Sequence, residues 1–105
     1  MTEVLVVLCT FPHGESARQI GAALVEKQVA ACVNLLPVVM SIYQWEGKTC
    51  EEAEVLAVIK TTRAAYPELQ AALLAVHPYE TPEVVALPVV DGSPGYLEWV
   101  MGINR

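Results

Sequence analysis

Ser41-Ile42-Tyr43-Gln44-Trp45-Glu46-Gly47-Lys48, followed by Val55-Leu56-Ala57-Val58-Ile59, is the stretch on which the fold turns. Successive side chains of an extended strand point to opposite faces, so Ser41, Tyr43 and Trp45 share one face and Met40, Ile42 and Gln44 the other. Glu46-Gly47-Lys48 interrupts this pattern with a turn. Residues 54–61 then resume as a strand apolar on both faces, which predicts a long β-hairpin whose second arm is buried. The first arm begins near Ala31 and contains Pro37. A proline cannot donate to a sheet ladder, so this arm is expected at an edge or with a bulge.

Upstream of the hairpin, Val4-Leu5-Val6-Val7-Leu8-Cys9 is a near-continuous apolar run ended by Thr10 and Pro12, the pattern of a central strand. Ala17, Ile20, Leu24 and Val25 follow at helical spacing, predicting an amphipathic helix over residues 15 to about 28 with Glu15 in its first turn. Downstream, Leu69, Ala72, Leu73 and Val76 define a second helix that starts between Thr62 and Pro67 and ends at His77-Pro78. Residues 84–90 form another strand, assigned to an edge by Pro88. Ser93-Pro94 opens a short C-terminal helix through Leu97, Val100 and Met101. The order β-α-β-β-α-β-α, closed with right-handed crossovers, predicts an α+β, ferredoxin-like βαββαβ fold with a long β2-β3 hairpin and a short C-terminal helix. The expected spatial order is 4-1-3-2, with strands one and three adjacent and parallel, and residues 1–105 as one domain.

Composition narrows the function. The chain has 105 residues, 54% of them hydrophobic, and a formal charge of −6 with six Lys plus Arg, which gives no electrostatic basis for binding nucleic acid or an anionic membrane. No apolar run approaches the roughly 20 residues of a spanning helix, and no basic region precedes the first apolar run. A cytoplasmic setting is expected. Cys9, Cys32 and Cys50 are odd in number and widely spaced without a CxxC, so they are expected to be thiols rather than a disulfide framework or zinc ribbon.

The expected topology gathers Cys9, His13, Cys32 and His77 along one edge of the sheet and leaves Cys50 at the opposite end. Cys9 and Cys32 would be separated by one strand, roughly 10 Å, too far for a disulfide. Two readings of this edge stand side by side. Cysteines ending strands serve as small core residues, and a histidine before proline caps a helix C-terminus. Alternatively, thiolate and imidazole select a soft or borderline ion, copper first and zinc second, with carboxylates such as Glu80 or Glu83 completing the shell. An enzyme would need Cys9 activated by His77, and no third orienting group stands out. There is no Gly-rich phosphate loop, GxSxG or HExxH, and Phe11-Pro12-His13-Gly14 lacks the arginine of an acylphosphatase loop. No catalytic activity is expected.

Leu8-Cys9-Thr10 with Pro12, Ala30-Ala31-Cys32-Val33-Asn34 with Pro37, the Ser41 to Lys48 stretch, Glu54, Lys60-Thr61-Thr62, His77-Pro78-Tyr79-Glu80-Thr81-Pro82-Glu83 and Tyr96-Leu97-Glu98-Trp99 occur in that order. Taken together they resemble the CutA-type divalent-cation tolerance family nearly end to end. The resemblance implies a ferredoxin-like subunit assembled as a homotrimer through its hairpin and C-terminal segment, similar in architecture to P-II signalling proteins. It also implies copper or other divalent-cation binding linked to metal tolerance, with the ligands falling on Cys9 and His77. Some members carry a second histidine just before the latter, where this chain has Val76. Tyr43 and Trp45, on a hairpin that one subunit can hardly cover, independently point to an oligomer. Tyr43, Trp45, Tyr79 and Lys60 could also line intersubunit clefts, so a signalling or scaffold trimer that binds a small molecule or partner protein is the alternative function.

Overall fold

The computed structural model describes residues 2–104; Met1 and Arg105, the ends of the span read as one domain, lie outside the described residues. Strand β1 (Val4–Phe11) leads through helix α1 (Gly14–Glu26) to β2 (Cys32–Trp45), which turns into β3 (Lys48–Thr62). Helix α2 (Tyr66–Val76), β4 (Val84–Pro88), α3 (Pro94–Met101) and a 3-10 turn (Gly102–Asn104) complete the chain. The sheet order is β2-β3-β1-β4, so β1 and β3 are central and the two proline-containing strands are edges, as expected.

Every neighbouring pair is antiparallel, including β1 with β3, where Val4 faces Thr62 and Phe11 faces Val55. This corrects the parallel pairing expected for these strands. The crossover through α1 restores the direction of β1 in β2, and the hairpin then reverses β3, so the strand inserted between β1 and β2 runs against both.

Local chemistry explains the element ends. The hairpin closes at Trp45 opposite Lys48 through Glu46 (φ 51°) and Gly47 (φ 78°), two left-handed residues whose twist matches the strands they join. Between Leu36 and Val39 the register shifts by one residue relative to β3, so Pro37 sits at a bulge on an edge strand. His13 caps α1 by accepting the Ser16 N–H on Nδ1 at 3.3 Å. Thr62 Oγ1 accepts the Ala65 N–H at 3.1 Å just before α2. Ser93 occupies the N-cap position of α3 but makes no side-chain capping bond there.

One side of the sheet carries the core. Val7, Cys9 and Phe11 of β1 and Val55, Ala57 and Ile59 of β3 pack with Ala17 and Leu24 of α1 and Leu69 and Leu73 of α2, all buried. Gly21 permits the close approach of α1 to β2, since a Cβ there would meet Val33 Cγ1 at 3.3 Å. The alternate residues of the strands face the other side, where α3 covers one end and buries Val4, Thr62 and Val100. Beyond α3 this side lacks a second layer, leaving Leu36, Val85 and Leu87 exposed and Val6, Leu8, Leu56 and Val58 half-buried. The hairpin runs past the end of β1 and stretches the molecule to 44 × 25 × 22 Å.

Candidate functional site

Cys9 lies near the end of β1, paired with Ala57 on one side and Val84 on the other, and points into the helix-covered core with no exposed surface. Its Sγ leans toward its neighbour's carbonyl, Thr10 O, at 3.9 Å. Burial first, and then the carboxylates of Glu83 and Glu54, together push the thiol up from 9.0 to about 12. The proton therefore stays on sulfur, whereas the metal ligand and nucleophile is the thiolate.

His77 follows α2 directly, and its backbone N–H donates to Leu73 O at 2.9 Å. The buried ring reaches back to β1, where Nε2 meets Thr10 O at 2.8 Å. Nδ1 lies 3.0 Å from the backbone nitrogen of Tyr79. A backbone N–H can only donate, so Nδ1 accepts and the ring proton sits on Nε2, donating to Thr10. Both nitrogens are thus engaged. The ring also stacks on Phe11, centroids 4.7 Å apart, and lies tilted against Tyr79 at 5.0 Å. Held there, Tyr79 donates its hydroxyl to Glu54 Oε2 at 2.6 Å. Its phenol is raised well above the ordinary range, first by burial and then by that hydrogen bond.

The structure brings Cys9 and His77 to one corner, joined through Thr10, with the carboxylates of Glu54 and Glu83 close enough to act on the thiol. His13 is at the same end of the sheet as the cap of α1. Cys32 is not. Because β3 is antiparallel to β1, Cys32 faces Lys60, which faces Val6. This puts Cys32 near the other end of the sheet, on the opposite face and roughly 14 Å from Cys9 by strand spacing and rise. Cys50 faces Tyr43 on the hairpin, toward the Cys9 end of the sheet rather than the far end, seven residues along β3 from the partner of Cys9 and roughly 23 Å away. All three cysteines are free thiols, and Glu80 is exposed.

Thiol and imidazole are donor types suited to copper, but here one is protonated and the other has its lone pair committed to Tyr79. Among the described residues no group of three or more His, Cys, Asp or Glu side chains could hold a metal ion. Two surface depressions, of about 440 and 410 Å³, are lined by Gln28, Trp99 and Ile103 and by Leu5, Arg63 and Tyr66 among others, and neither includes Cys9 or His77. The groups that sequence reasoning missed here are the Thr10 carbonyl and the Phe11 ring. The carbonyl is a backbone acceptor and carries no side-chain signal at all.

A four-stranded antiparallel sheet in the order β2-β3-β1-β4, helices α1 and α2 on one side, defines an α+β protein of the ferredoxin-like class. The family described as CutA1 divalent ion tolerance protein matches residues 5–102. A divalent-cation tolerance protein CutA from Thermus thermophilus is 50% identical over 95 residues, covering 90% of this chain and 92% of that one. A protein CutA from Mus musculus is 50% identical over 102 residues, covering 97% of this chain and 58% of its own length. This chain therefore spans little more than half of that relative. The solved Thermus thermophilus divalent cation tolerance protein superposes with a TM-score of 0.89 at 48% identity, covering 92% of this chain and 94% of that one. The chain belongs to the CutA1 divalent ion tolerance family. A further relative, from Arabidopsis thaliana, is named as chloroplastic. No described helix is long and apolar enough to cross a membrane.

Proposed function

We propose that this chain acts, without catalysis, as a homotrimer in divalent-cation tolerance and binds copper or a related ion through Cys9 and His77. The observation that carries the assembly is the hairpin, apolar and exposed on both faces, where Met40 is 58% and Ile42 66% exposed on one face, Trp45 64% on the other, and Val38 71% at the bulge. So much exposed apolar surface on one hairpin marks a region of interaction. Further copies of the same chain would cover it and protect the long edge strand β2. Residues 1–105 work as one folded unit in this reading, and the three free thiols favour a reducing compartment such as the cytoplasm.

For the cation, support comes from the shared corner of Cys9 and His77 and from their donor chemistry. Binding there requires the thiol to lose its proton and His77 to give up a hydrogen bond. It should therefore be modest in affinity, release protons and strengthen as pH rises. The same closed state favours a second reading, a P-II-like signalling or scaffold trimer in which the cleft between subunits is the working site and metal is incidental.

Mass by light scattering together with competitive titration of reduced protein with Cu(I), Cu(II) and Zn(II) separates these. A mass near three subunits, with saturable copper binding lost in Cys9→Ala and His77→Ala while the assembly persists, supports the first reading. Copper binding that is weak, or that survives both substitutions, transfers the function to the clefts. A monomer at micromolar concentration removes both.

A further inference from the structure

Lys60 lies on the side of the sheet that only α3 partly covers, half-buried between Val6 of β1 and Cys32 of β2, which are its register partners. Val58 shares this face along β3, and Leu87 follows Val6 across it. The ammonium donates to the side-chain oxygen of Asn34. The Cys32 thiol approaches that same oxygen at 3.9 Å. Beside them Tyr96 of α3 contacts Cys32, its phenol raised by burial first and then by the thiol. Among the described residues the only ion pair is Arg63 with Glu3 at 3.4 Å, so Lys60 has a neutral partner and no counter-charge in a chain of net −6.

An ammonium has three protons to donate and one goes to Asn34. Because Asn34 turns its oxygen to Lys60, its amide NH2 supplies two further donors alongside. The cluster thus offers one positive charge and several N–H donors on an apolar floor, with no anionic acceptor paired to it among the described residues. Covering this face would desolvate the ammonium further, which is costly unless an anion accompanies it.

We propose that Lys60 and Asn34 form a binding site for a carboxylate. A single ammonium matches a single negative charge, and two carboxylate oxygens can accept from the ammonium and the carboxamide together. The carboxylate is either a small free anion or a side chain of a second copy of this chain. The inference is independent of copper binding at Cys9 and His77, so its failure leaves that reading standing.

The test compares wild type, Lys60→Met and Lys60→Arg by NMR of the side-chain amide of Asn34 while acetate or citrate replaces chloride at constant ionic strength. Lys60→Gln replaces the Met variant should that fail to fold. Saturable shifts in wild type, retained in Lys60→Arg and weakened about tenfold or more in Lys60→Met, establish a free carboxylate site. If no added anion shifts Asn34 but Lys60→Met weakens subunit association about tenfold or more and removes its salt dependence, the carboxylate belongs to a neighbouring copy. Shifts that chloride reproduces, or no effect of Lys60→Met on either measurement, overturn the proposal.

Discussion

Replacing His77 with Phe tests whether the imidazole holds the structure together. Phenylalanine keeps an aromatic ring against Phe11 and Tyr79, so the perturbation is confined to two hydrogen bonds. The bond to Thr10 O is 2.8 Å and buried, and the bond from the Tyr79 N–H is 3.0 Å and partly buried. Leaving a buried partner unpaired costs about 1–3 kcal/mol, and the half-wet amide adds about 0.5–1 kcal/mol. The sum is about 1.5–4 kcal/mol, a large share of the 5–15 kcal/mol available to a typical domain. Equilibrium unfolding in urea or guanidinium would measure it at matched protein concentration, because association couples stability to concentration. Hydrogen exchange at Tyr79 supplies an independent check, as its amide should lose protection in the variant. A change below about 0.5 kcal/mol, with Tyr79 protection intact, would refute the hydrogen-bonding argument and return His77 to the role of a free ligand.

Cys9 should be the slowest of the three cysteines to react with a thiol reagent at neutral pH, with alkylation of it appearing only on unfolding; mass spectrometry of labelled peptides checks this. Its raised pKa also has a sign for stability. The folded chain keeps a proton that the unfolded chain gives up near 9.0, so the contribution is complete below that pH and is lost as pH rises toward about 12; denaturation midpoints across the alkaline range, compared with Cys9→Ala, read it out. Phe11→Ala removes a buried ring that stacks on His77 and should cost about 3–5 kcal/mol in unfolding free energy. Ile42→Glu on the exposed hairpin should leave the subunit folded by circular dichroism while lowering its mass in solution.

Much of the fold was legible because it is local. Glu46-Gly47 sets the hairpin, Pro37 and Pro88 exclude their strands from the centre, and the unbroken apolar run Val55 to Ile59 marks a central strand, apolar on both faces. The polarity of β1 against β3 is different in kind. It follows from counting reversals along the whole connection, and the hairpin supplies one more reversal than a parallel pairing allows. That single change moved Cys32 from the candidate site to the far end and opposite face of the sheet. The positions of Cys9 and His77 did not depend on it, because β4 lies against β1 and its first residue follows the loop that His77 begins.

The sequence by itself determined the family, the element order, the edge strands and the meeting of Cys9 with His77 near the end of β1. The family rests on the resemblance of its motifs, and the others on periodicity, turn chemistry and chain connection. Only the tertiary structure decided what state those side chains are in: a thiol kept protonated by burial, and an imidazole with both nitrogens engaged. It likewise decided that Lys60 faces Asn34 on the open side of the sheet. The physical reason is that protonation and hydrogen bonding are set by the few atoms within about 3–4 Å. Here those atoms include a backbone carbonyl 67 residues away from His77, and no local pattern in the chain encodes such a neighbour.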